Sequence, residues 1–130
     1  MNIKLSIITP DRNYFNGEAD EIILPTNTGQ MGVLAGHAAL ITALDIGVML
    51  CRLNKTWTSI IVMGGFALIK EDNLTVLVNE AESADRINLE EAEKDLEEAR
   101  EQFNQAQNQK QKVSAQFYLK RAQARFQVVK

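Results

Sequence analysis

At 130 residues the chain has room for one domain, or for a small domain with an appendage. Its 24% charged residues and net charge of −3 give no whole-chain attraction to nucleic acid, and no stretch reaches the roughly 18 apolar residues that cross a bilayer. A single cysteine, Cys51, excludes an internal disulfide framework, and with a single histidine, His37, it leaves little for catalysis or metal binding.

Residues 1–10 alternate in character and carry Lys4, which reads as neither a signal peptide nor a transit peptide. The expectation is a chain kept in a soluble compartment that meets any membrane through a partner. Short runs of Ile, Val, Leu and Thr, broken by Gly, Asn, Asp and Pro, then continue to about residue 84. They predict strands at residues 3–9, 21–25, 39–44, 47–53, 56–63, 66–70 and 74–79. Residues 10–13, Pro-Asp-Arg-Asn, read as a turn, and Glu71-Asp72-Asn73 as a tight hairpin link. Residues 27–40 hold three glycines beside Met31, Val33 and Leu34, which reads as a plain loop over the sandwich end or, more sharply, as a partner-contacting loop on a rigid scaffold. Cys51 lies in an apolar run and reads as a buried core thiol. Met63-Gly64-Gly65-Phe66 lacks phosphate-loop spacing and reads as a strand corner where backbones approach closely. His37 reads as a hydrogen-bonded structural or interface histidine.

After Ala84 there is no Gly or Pro, and the period changes. Leu89, Ala92, Leu96, Ala99, Phe103 and Ala106 repeat at 3 and 4, a narrow helical seam, with Asn88 and Glu91 placed as a capping box. Ala115, Leu119, Ala122, Phe126 and Val129 form a second seam. A Gln-rich polar linker over residues 104–112 separates them, and no Gly or Pro marks the turn. The first helical stretch, 87–109, carries seven acids and two bases, and the second, 110–130, six bases and no acid. Alanine-rich seams bury little area, so the pair should be weakly held. The predicted architecture is α+β in two parts: an N-terminal antiparallel β-sandwich over residues 1–85, then a C-terminal antiparallel α-helical hairpin over 86–130. The residues alone leave other readings open. One is an adaptor that offers its helical arm to a coiled-coil partner. Another is a small enzyme pairing Cys51 with His37, which requires a thiol of depressed pKa. The cluster Lys120, Arg121 and Arg125 reads equally as a solvated face or as a grip on an acidic partner or on phosphates.

Several motifs carry a resemblance. Glu21-Ile22-Ile23-Leu24-Pro25-Thr26, Thr28-Gly29-Gln30-Met31-Gly32-Val33-Leu34, Gly36-His37-Ala38, Met63-Gly64-Gly65-Phe66-Ala67, Val76-Leu77-Val78-Asn79-Glu80-Ala81 and Lys120-Arg121-Ala122-Gln123-Ala124-Arg125-Phe126 occur in order along the chain. Together they resemble the epsilon subunit of F-type ATP synthases, most of all its plastid and cyanobacterial members. The resemblance implies a non-catalytic rotor subunit that couples proton-driven rotation to ATP synthesis and restrains ATP hydrolysis, with no cofactor of its own. It implies that Gln30, Met31 and Gly32 face the membrane c-ring, and that His37, Leu40 and Leu44 lie toward the gamma subunit. Lys120, Arg121 and Arg125 would be the inhibitory contacts with acidic residues of the catalytic alpha and beta subunits. It implies a place on the stromal side of a thylakoid membrane, peripheral through partners, or the cytoplasmic side of a cyanobacterial or bacterial membrane. Two departures stand out. Ala39 replaces a proline common in the family, which loosens the loop. The Ile-Asp-x-x-Arg-Ala stretch through which some bacterial members bind ATP reads Ile87-Asn88-Leu89-Glu90-Glu91-Ala92, with Glu91 in place of the arginine. Arg121 and Arg125 match the rest of that site, but with half of it missing the expectation is no useful ATP binding.

Overall fold

The computed structural model describes residues 2–129. It divides into two units, residues 1–82 and residues 83–130. Lys130, counted above among the bases of the second helical stretch, lies outside the described residues.

The first unit is built from β1 (Ile3–Thr9), β2 (Arg12–Ala19), β3 (Glu21–Thr26), β4 (Gly29–Val33), β5 (Leu40–Leu53), β6 (Thr56–Lys70) and β7 (Asn73–Val78). A short β8 (Ala81–Ser83) pairs with β6. Hydrogen bonding runs in the order β2-β1-β7-β6-β5-β3-β4. All the registered pairs are antiparallel except β1 with β7, which is parallel, so the antiparallel prediction holds for all but that one. Inward positions from both ends of this path, among them Ile3, Leu5 and Ile7 on β1 and Ile22 and Leu24 on β3, meet in one hydrophobic cluster. A continuous path of strands can share one core only by folding over into two layers, which makes the unit a sandwich. Burying each Ile or Leu fully contributes about 1.5–3 kcal/mol.

The sequence divides β5 and β6 each into two strands; in the structure each is one long strand. Their ladder runs through the expected breaks, with Leu44 opposite Gly65 and Ile46 opposite Met63. Gly64 at φ 74° and Gly65 at φ 149° let β6 turn the corner without losing its partners. The tight link between β6 and β7 is as predicted, although Glu71 and Asp72 are both non-glycine residues at positive φ. Three strands were not predicted: β2, β4 and the three-residue β8. β2 holds Asn13, Asn16, Gly17 and Glu18, and β4 holds Gly29 and Gly32, so neither shows apolar alternation. Residues 29–33, read from the sequence as loop, are strand β4.

The second unit holds a 3-10 turn, Ala84–Arg86, then α1 (Leu89–Gln105) and α2 (Gln109–Val129). The Asn88 side-chain oxygen accepts from the Glu91 backbone N–H at 3.2 Å, the predicted N-cap. The connection shrinks from the predicted polar linker to residues 106–108. Asn108 marks the turn that no Gly or Pro announced: its Oδ1 accepts from Gln111 N–H at 2.9 Å, while Gln111 Oε1 accepts from Gln107 N–H at 2.9 Å. Leu96 and Ala99 pack on Ala122, with Leu119 and Phe126 beside them. Leu89 and Phe103, predicted to lie in the first seam, are exposed. Replacing Asn88 by alanine should cost about 1 kcal/mol by orphaning a helix N–H, read as earlier loss of helical circular dichroism on heating. A change below about 0.3 kcal/mol would mean that water serves that N–H equally well.

Candidate functional site

No catalytic constellation forms around the two residues that offered one. Cys51 is fully buried in the sandwich core, and burial pushes its thiol up to about 12. A nucleophile needs the opposite shift, so the thiol-enzyme reading is overturned. The His37 ring uses its Nδ1 to meet the Ala38 carbonyl at 2.7 Å, which requires that nitrogen to carry the proton and donate. Among the described residues, no group of three or more His, Cys, Asp and Glu side chains is placed to hold a metal ion.

What the first unit does offer is an apolar outer face. On β5 and β6, Ile41 stands opposite Leu68 and Ala43 opposite Phe66; Phe66 in turn stands opposite Leu77 on β7. Directly paired positions share a face of the sheet. Ile41 is 69% exposed and Phe66 58%, and Leu68 and Leu77 are also exposed. A groove of about 500 Å³ continues this face, lined by Ile8, Pro10, Gly65, Phe66 and Leu77 among others. Contiguous exposed apolar surface of this kind marks a contact with a partner. The sequence reading missed it, although a signal was present. Phe66-Ala67-Leu68-Ile69 is apolar at both alternating phases, which predicts a strand with two apolar faces rather than one.

Of the residues the resemblance assigns to the gamma subunit, Leu40 is exposed and His37 half-buried. Leu44 is only 5% exposed and belongs to the core beneath. Gln30, Met31 and Gly32 lie on β4, an outer strand of the sheet order, paired on one side with Pro25, Leu24 and Ile23. Met31 leans on the core, while Gln30 and Gly32 are exposed. A Cβ added at Gly32 would meet nothing within 4 Å, so neither packing nor backbone conformation within this chain demands glycine there.

In the second unit, Arg121 and Arg125 share a groove of about 380 Å³ with Asp95 and Glu98 of α1 and with Tyr118. The groove thus brings acidic side chains of α1 and basic side chains of α2 to one place. The Arg121 guanidinium lies 5.0 Å from the Tyr118 ring centroid, and Tyr118 meets Phe117 edge-on at 5.6 Å. Lys120 is half-buried and does not line the groove.

Comparison with known proteins agrees with both units. The family model "ATP synthase, Delta/Epsilon chain, beta-sandwich domain" matches residues 2–84, and "ATP synthase, Delta/Epsilon chain, long alpha-helix domain" matches residues 85–130. The chain is 58% identical over 130 residues to the chloroplastic ATP synthase epsilon chain of Chlorella vulgaris, spanning 100% of this chain and 97% of that one. It is 59% identical over 129 residues to that of Tupiella akineta, spanning 99% of each. Among solved structures, it matches a chain of the Euglena gracilis mitochondrial ATP synthase (OSCP/F1/c-ring) with a TM-score of 0.85 and 25% identity, over 95% of this chain and 78% of that chain. The sandwich and helical hairpin read from the residues are thus the two domains of one family, and the chain belongs to the ATP synthase delta/epsilon chain family.

Proposed function

We propose that the chain is the non-catalytic epsilon subunit of a proton-driven F-type ATP synthase, a central-stalk part that couples rotation to ATP synthesis and restrains ATP hydrolysis through its C-terminal helices. The observation that carries this reading is the exposed apolar face of β5, β6 and β7, found in a chain related over its full length to chloroplastic epsilon chains. That face is the surface for the gamma subunit, with Leu40 at the start of β5, His37 in the loop that leads into it and Leu44 packed beneath. Gln30, Met31 and Gly32 meet the c-ring, where an unobstructed strand edge accepts close backbone approach. Lys120, Arg121 and Arg125 reach acidic residues of the catalytic alpha and beta subunits when the hairpin opens. That Arg121 and Arg125 share a groove with Asp95 and Glu98 is compatible with opening, because charge attraction at a protein surface contributes only about 0.2–1 kcal/mol per pair. Its place is the stromal side of a plastid thylakoid membrane, peripheral through its partners.

The test is add-back to an F-type catalytic complex stripped of its own epsilon. The full chain should rebind and inhibit ATP hydrolysis; a version ending at Arg86 should rebind and inhibit less. The full chain with Arg121→Ala and Arg125→Ala should need at least about a hundred-fold more protein for half-inhibition, since hydrogen bonds to charged groups contribute about 1.5–3 kcal/mol each. Equal inhibition by all three would move regulation to the sandwich. No rebinding by any of them would remove the assignment altogether and leave the adaptor reading.

A further inference from the structure

Residues 34–39 carry exposed Leu34 and half-buried His37 and lead directly into β5, the strand that brings Ile41 to the apolar face. This loop has no proline, and Gly36 sits at φ 88° with open space where a Cβ would stand. Its own backbone supplies one cross-link, His37 N–H to the Leu34 carbonyl at 3.2 Å. A second restraint comes from a distant part of the chain. The Asp72 carboxylate, in the β6–β7 turn, accepts the Gly36 backbone N–H at 2.7 Å across 36 positions of sequence. The Asp72 backbone is itself held, because its carbonyl accepts from Lys4 N–H of β1 at 2.9 Å. The turn holds Asp72 at φ 60°, a left-handed conformation in which aspartate and asparagine are the non-glycine residues best tolerated. A charged acceptor at 2.7 Å makes the stronger kind of hydrogen bond.

We infer that Asp72 is a positioning residue for partner docking: its carboxylate latches Gly36 and so pre-orders the loop that carries Leu34 and His37 into β5 and its apolar face. The inference rests on the reading of that face as the surface for the gamma subunit. Its logic is that of pre-organisation. A loop that is competent to dock only part of the time lowers apparent affinity by the fraction of time it is competent.

Two variants of the full chain separate the latch from the turn. Asp72→Gly keeps the left-handed turn and removes the acceptor; Asp72→Asn keeps the turn and an acceptor oxygen. Hydrogen exchange at the Gly36 amide of the free chain reads the latch directly. Binding to the epsilon-stripped catalytic complex reads its consequence, and thermal unfolding serves as control. The expected result is Gly36 exchange about ten-fold faster and binding about ten-fold weaker in Asp72→Gly. Asp72→Asn should recover most of both, with unfolding midpoints within about 2 °C of the original. Unchanged Gly36 exchange in Asp72→Gly would overturn the latch. Faster exchange with unchanged affinity would overturn the positioning role. A weaker affinity that tracks a lowered unfolding midpoint would make Asp72 merely structural. If the unaltered chain fails to bind, the reading of the surface falls and the docking role falls with it, while Gly36 exchange still decides the latch.

Discussion

Alanine at position 65 should destabilise the sandwich by about 3–5 kcal/mol, enough to lower the unfolding midpoint by roughly 12 °C or more in a unit of this size. The reason is geometric. A Cβ on residue 65 would lie 1.9 Å from the Leu77 carbonyl oxygen and 2.8 Å from Val78 Cα, both backbone atoms of the neighbouring strand. The φ of 149° adds strain for any side chain. Relief would require β6 and β7 to separate where Gly65 pairs with Val78 and Phe66 with Leu77. The same change would therefore disturb the apolar face and weaken partner binding. Gly32→Ala is the matched control, because nothing lies within 4 Å of its added Cβ and no left-handed backbone is involved. It should stay within about 1 kcal/mol of the original. Denaturant and thermal unfolding of the three proteins decide the matter. Equal stability of the Gly65 variant would mean that β6 does not turn its corner there.

Cys51 in the native chain should react with alkylating reagents about a thousand-fold more slowly at pH 8 than an ordinary thiol, and at the ordinary rate once unfolded. Desolvation raises its pKa from 9.0 to about 12, so the thiolate that reacts is correspondingly scarce. Exchange of the protein through open states sets the residual rate, which makes the reaction a probe of sandwich opening. The same shift has a consequence for stability. The folded state holds the thiol proton more tightly than the unfolded state, so this contribution is complete below pH 9 and is lost as pH rises from 9 toward 12. By pH 10 the loss attributable to Cys51 is about 1.4 kcal/mol. Cys51→Ala should show a shallower fall in stability over that interval, whatever its cost at neutral pH. Parallel profiles for the two proteins, or prompt alkylation of the native chain, would place the thiol outside the core.

Part of this protein was legible in the residues themselves. The change from period 2 to helical period near Ala84 separates sandwich from hairpin, and the cap at Asn88 needs only local chemistry. The buried Cys51 and the Gly64-Gly65 corner follow from an apolar run and from two adjacent glycines. Of the strands that escaped, β2 and β4 are those at the two ends of the hydrogen-bonding order, and the third, β8, is a three-residue strand off that path. A strand with one neighbour and a largely exposed surface has no need of apolar alternation, so its sequence looks like loop. The division of β5 and β6 into four strands failed for a different reason: glycine permits a corner without requiring the ladder to stop, and only the partner strand decides whether it continues. The functional surface depended on tertiary structure more heavily still. Ile41, Phe66, Leu68 and Leu77 come together through the register of three strands. Asp72 meets Gly36 because two distant turns fold to one place. Local sequence determines which elements form and which faces are apolar, because propensity, capping and periodicity act over a few residues. Which faces are covered and which remain open is decided by long-range pairing.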